Sequence, residues 1–161
     1  MSTFSSIVQF HLFEEGLERI QICLNAISDN DLYASPNTQI TPIGNQIVHL
    51  IGNISQWLGN GVLGLPYARN RNWEFDRNDL KKSELLDRYV ALKNWLLPEL
   101  HRLDQLDLHL EIEIQGFTKS NAAAIIHVLE HFSYHIGQIS LLTKLIAKKD
   151  LGYYSELDLN L

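Results

Sequence analysis

The chain carries one cysteine, Cys23, in 161 residues. A single thiol cannot close an intrachain disulfide, and no Cys-x-x-Cys metal knuckle can be built from it. Cysteine usage of this kind suits a reducing compartment, so a cytoplasmic location is expected. Cys23 lies in the apolar run Ile20 to Ile27 and reads as a buried structural thiol rather than a nucleophile. Long hydrophobic runs are also missing. No stretch of 18 apolar residues occurs, so nothing spans a membrane as a helix. Met1-Ser2-Thr3-Phe4 is not a basic region followed by an apolar one, and Glu14, Glu15 and Glu18 interrupt the first segment, which excludes a signal peptide. Positive charge is scarce: 13 Lys and Arg stand against 19 Asp and Glu, for a net charge of −6. That balance argues against a broad nucleic-acid surface. There is no glycine-rich phosphate loop and no Gly-x-Ser-x-Gly nucleophile turn.

What is present is ordinary for a soluble globular protein, with 45% apolar and 20% charged residues. The length suits one domain, residues 1–161, with a real core. Four helical patterns organise it. The first runs from about Thr3 to Ser28, with Phe4, Ile7, Phe10, Phe13, Leu17, Ile20, Leu24 and Ile27 at spacings of three and four. The second starts at Thr41-Pro42, read as an N-cap followed by proline at the first helical position. Its stripe is Ile43, Ile47, Leu50, Ile51, Ile54 and Leu58, and Gly59-Asn60-Gly61 is the expected stop. The third spans roughly Asp79 to Leu103, with Pro98 kinking or shortening its end. The fourth runs from Ser120 or Asn121 to Lys148. A short strand is possible within Leu106 to Ile114, ahead of a turn at Gly116-Phe117-Thr118. The connection from Gly59 to about Asn78 is long enough to be functional and to permit a crossover. The tail Tyr153 to Leu161 is expected to add at most one short turn. These features predict an all-α four-helix bundle with long crossover connections.

The chemistry concentrates in His131-Phe132-Ser133-Tyr134-His135. Residues i and i+4 of a helix share a face, with Cβ atoms roughly 6 Å apart, so the two imidazoles form half of a metal site. On the helical map they flank the stripe of Ile125, Leu129, Phe132, Ile136 and Ile139. Surface histidines, or core histidines bonded to backbone, remain the commoner outcome for such a pair. Phe132 stands where the zincin motif requires glutamate, and no Glu-x-x-His pair of a di-iron bundle occurs. A third ligand must come from elsewhere. His49 is a candidate, beside Gln46, Asn53 and Gln56 on a polar strip that fits either a polar cavity or a solvated face. His127, one turn before His131, is able to replace or supplement a ligand. His11, His101 and His109 read as structural or surface residues.

Three segments carry a resemblance. Val48-His49-Leu50-Ile51-Gly52-Asn53, Arg69-Asn70-Arg71-Asn72-Trp73-Glu74-Phe75, and above all Leu129 to Ile139 resemble the DinB-like family of small metal-binding helical bundles. The last of these resembles the subfamily with a His-x-x-x-His-x-Gly-Gln signature. The resemblance covers the chain from the first helix to about Leu151. It implies a divalent metal held by His49, His131 and His135, with zinc first and nickel, iron or manganese as alternatives. The related bacillithiol transferases and mycothiol-dependent maleylpyruvate isomerase imply a thiol-dependent S-transferase. A three-histidine site with open positions also permits hydrolysis. A non-catalytic metal-binding or stress-related module is the alternative. A small-molecule substrate, a low-molecular-weight thiol and a homodimer are the expected partners. Asn53, Arg71, Tyr134 and Gln138 are the supporting candidates, with Arg69, Trp73 and Glu74 also in the loop. An Arg71–Glu74 pair that only ties the loop down is the plain structural reading.

Overall fold

A computed structural model of the chain describes residues 2–155 and Asp158. The expected short turn of the tail is present at residues 153–155, and the rest of that tail, Asp158 apart, lies outside the described residues. Four long helical rods form the body. The first joins α1 (Phe4–Gln9), a π-helical segment Phe10–Glu15 and α2 (Gly16–Ala26). The second is α3 (Ile43–Ile54), prolonged by a π-helical segment Ser55–Val62. The short helix α4 (Arg71–Asp76) follows. The third rod is α5 (Lys82–Leu96) with a 3-10 extension Leu97–Gln105, and the fourth is α6 (Asn121–Ala147). Strands β1 (Glu111–Ile114) and β2 (Phe117–Ser120) pair antiparallel, Ile112 facing Lys119, and lead into α6. The all-α four-helix bundle read from the sequence is the architecture found.

Several boundaries differ, each for a local reason. The helix at Gly59-Asn60-Gly61 does not stop but continues to Val62. These glycines are notches. A Cβ on Gly59 would lie 2.5 Å from Trp95, and one on Gly61 would collide with Ile114. The rod stops instead at Gly64, whose φ of +67° few other residues tolerate. Pro42, not Thr41, occupies the cap position of α3, and no side chain caps it. In the first rod the structure corrects the register. Phe4, Ile7 and Phe10 are exposed, while Ser5, Val8 and Leu12 face the core. From Phe13 onward the buried face is Phe13, Gly16, Ile20, Cys23 and Leu24, so Phe13, Ile20 and Leu24 of the pattern are buried while Leu17 is only partly so. Phe117 and Thr118, read as turn, belong to β2. The turn itself is Gln115-Gly116, both at positive φ as in a tight two-residue hairpin. Pro98 acts as expected: the α-helix ends at Leu96 and the chain tightens to 3-10.

The core is one cluster shared by all four rods. Its centre is α3, where every residue from Ile43 to Asn53 except Ile51 is buried. Helices α3 and α6 run antiparallel, because Gln46, His49 and Trp57 meet His135, His131 and His127 in descending order. Among the described residues no helix is long and apolar enough to cross a membrane.

Candidate metal centre

A helix buried on nearly every face must satisfy its polar side chains internally. In α3 these are Asn45, Gln46, His49 and Asn53. That decides between the two readings of the polar strip: it is buried in the bundle, not solvated. His49 is 4% exposed and projects toward the half-buried pair on α6. One ring nitrogen from each of His49, His131 and His135 lies within 4.8 Å of the other two. A single ion with bonds of about 2 Å to imidazole can touch all three after small side-chain rotations.

The hydrogen-bond network assigns which nitrogens are free. Gln46 donates its amide nitrogen to the Thr41 carbonyl at 2.8 Å, so its Oε1 faces His135 Nδ1 at 3.0 Å. That nitrogen therefore carries the proton, and Nε2 is bare. His49 Nδ1 stands 2.9 Å from Glu74 Oε2. A carboxylate only accepts, so Nδ1 donates there, which leaves Nε2 as the lone-pair nitrogen of the neutral ring. Arg69 Nη2 also lies 3.1 Å from His49 Nδ1. With a proton on Nδ1 that approach is not a hydrogen bond; both groups converge on Glu74 Oε2, which Arg69 reaches at 2.8 Å. His49 Nε2 then faces His131 Nε2 at 2.9 Å. At that distance either one of the two nitrogens donates a proton to the other, or both turn lone pairs to a cation between them. The donor set thus fits a divalent ion, with two imidazoles oriented through their other nitrogens in the manner of ligated histidines.

Glu74 is 3% exposed and comes from α4, inside the stretch read as a polar loop. Burial pushes its carboxyl up, but hydrogen bonds from His49 and Arg69 and the Arg69 charge outweigh this and leave it below its ordinary value. Its salt-bridge partner is Arg69, at 2.6 Å through Nε, and not Arg71. Arg71 is exposed over the Phe75 ring. Three backbone carbonyls at the end of α4, those of Glu74, Phe75 and Arg77, all accept from the Asn45 amide, which ties the segment to α3. Gly52 leaves the space in which the carboxylate sits, since a Cβ there would come within 2.0 Å of Glu74 Oε1. Asn53 is buried with its Oδ1 unpartnered, as is Arg69 Nη1. Tyr134 is exposed and packs edge-on against His135, and Gln138 is half-buried one turn further on. His127 stacks on His131 and on Trp57 but stands outside the three-nitrogen cluster. His11, His101 and His109 are exposed.

Burial, then the neighbouring His135, His49, His127 and Arg69, push His131 down to about 3 from an ordinary 6.5, and burial and His49 push His135 down to about 4. Both rings are neutral at pH 7, as ligation requires. An unfolded chain protonates them near 6.5, so it binds more protons than the native state below that pH. The contribution of the two rings is thus complete above about 6.5 and is lost as the pH drops through about 4 to about 3. The metal-free protein should unfold at lower urea at pH 5 than at pH 7, and His131→Gln should flatten that slope. An unchanged slope in the variant would contradict the assignment.

The model of a family described as "Protein of unknown function (DUF1572)" matches residues 6–156. The chain belongs to the DUF1572 family. Two solved structures share the fold of this DUF1572 member. A DinB-like protein from Bacillus cereus superposes with a TM-score of 0.66 at 18% identity, covering 89% of this chain and 92% of its own. A conserved protein from Enterococcus faecalis gives 0.69 at 15% identity, covering 92% of this chain and 100% of its own. No curated protein matches the chain. The fold is thus DinB-like, as the three motif segments implied.

Proposed function

We propose that this DUF1572 protein is a metal-dependent enzyme that holds one divalent ion, zinc first, on His49, His131 and His135. In this reading it catalyses a thiol-dependent S-transfer or a hydrolysis on a small molecule. The observation that supports it most is that one ring nitrogen from each of the three histidines lies within 4.8 Å of the other two, while buried acceptors face Nδ1 of His49 and of His135. Three neutral imidazoles leave coordination positions open, which is the pattern of catalytic rather than structural sites. A bound divalent ion supplies Lewis acidity there, easing loss of a proton from a water or a thiol. The chain's own residues do the rest. Glu74 and Gln46 hold the rings in one tautomer. The burial of α3 limits access of bulk water from the core side.

Elemental analysis of protein purified without a nickel column should find about one ion per chain in the wild type and little in His131→Ala. Near-stoichiometric metal in the variant would sink the three-histidine assignment. Turnover on a panel of thiols with electrophiles, and of esters and amides, should then be lost with the metal. Full metal loading with no turnover on any of them would leave the non-catalytic module as the reading.

A further inference from the structure

A groove of about 430 Å³ runs along α6 beside the candidate metal centre. That is within the roughly 300–1,000 Å³ of ligand pockets. It shares two residues with the centre: the ring of His135 and the Gln46 that holds it. Its apolar walls are Ile40, Leu141, Leu142 and Leu145. Its polar groups are the neutral amides of Gln39 and Gln138 and the hydroxyls of Thr41 and Tyr134. Among the described residues no Asp, Glu, Lys or Arg lines it, although the chain has 32 such residues, 13 basic and 19 acidic. Other grooves differ. The one between the first rod and α6 carries Glu15, Arg19 and Glu130, and the one behind Glu74 carries Arg88. The rim is apolar where solvent would favour charge: Tyr134, Leu141 and Leu145 are 62%, 59% and 58% exposed. Clustered exposed apolar side chains next to a polar site mark binding surfaces.

We infer that this groove receives the uncharged, mainly apolar part of the substrate, a short alkyl chain or an aryl ring, while the polar reacting end lies at the three histidines. This rests on the metal-dependent reading above. Leu141, Leu142 and Leu145 select by excluding charge, because a carboxylate or ammonium placed there loses its hydration and meets no counter-ion. The amides of Gln39 and Gln138 tolerate one neutral polar substituent along the chain.

The probe is a series of n-alkyl hydroxamic acids of two to eight carbons, with the ω-carboxylate of the longest, titrated into zinc-loaded protein. Affinity should rise about threefold per added methylene until the groove is full. The ω-carboxylate should lose that gain, and Leu145→Glu should remove the dependence on chain length while metal content and acetohydroxamate affinity stay the same. A flat series, or equal affinity for the ω-carboxylate, overturns the inference. So does a Leu145→Glu variant that turns a dimer into a monomer in sedimentation with no effect on the series, since the patch would then belong to a second copy. If the protein holds no divalent ion, the metal reading fails on its own. The groove is then judged by n-octanol on the metal-free protein: leucine methyl shifts confined to Leu141, Leu142 and Leu145 support it, and their absence overturns it.

Discussion

Glu74→Gln is expected to weaken divalent-ion binding by about 10- to 100-fold and to destabilise the metal-free protein by about 3–5 kcal/mol. Both effects come from one carboxylate. Oε2 accepts from His49 Nδ1 at 2.9 Å and Arg69 Nη2 at 2.8 Å, and Oε1 accepts from Arg69 Nε at 2.6 Å. Both oxygens therefore face donors only. A glutamine amide puts N–H against N–H on one side, so either His49 loses its tautomer or Arg69 loses a contact. The Arg69 side chain is only 4% exposed. Its charge would then have no counter-ion. Chelator competition measures the first effect and urea unfolding of metal-free protein the second. Glu74→Asp separates them: the charge returns but the reach is short, so stability should recover more than affinity. Equal recovery of both, or a Glu74→Gln variant with wild-type affinity, would argue that Glu74 only anchors the segment.

Gly52→Ala is expected to destabilise by about 1–3 kcal/mol and to weaken metal binding, against the helix-propensity gain of about 1 kcal/mol for alanine over glycine. The added Cβ would meet Glu74 Oε1 at 2.0 Å, Glu74 Cδ at 2.8 Å and Arg69 Nε at 3.2 Å. Helix α4 cannot simply retreat, because Asn45 holds its last carbonyls at 2.6–3.1 Å. The carboxylate must swing away from His49 instead. Gly137 is the control. It also sits inside a helix, yet a Cβ there meets nothing within 4 Å, so Gly137→Ala should gain stability. Because Gly52 acts through Glu74, the pair Gly52→Ala with Glu74→Ala should cost less than the sum of the singles. Additive costs would show that the clash is not the cause.

These predictions lie where the sequence was least legible. Arg71 and Glu74, three apart in a polar run, read as a pair that ties the loop down; the buried partner is Arg69, five residues before Glu74. A local signal for α4 existed, since Asn70 accepts from Trp73 N as an N-cap does. Its six residues were too few for periodicity to register. Gly52 looked like any helical glycine, because its use depends on a side chain 22 residues later. Gly59 and Gly61 carried a standard stop signal, yet their contacts are with Trp95 and Ile114 in other elements.

By itself, the sequence determined the four helical rods, the all-α class and the pairing of His131 with His135, because apolar periods and i, i+4 spacing act within one turn of one helix. It also carried the resemblance that put His49 with them. Only the tertiary structure decided that the polar strip of α3 is buried rather than solvated, that Glu74 and Gln46 set the tautomers, and that an uncharged groove begins at His135. Each of those depends on which faces of α3, α4 and α6 meet, and burial turns an ordinary amide or carboxylate into a group that must find one particular partner.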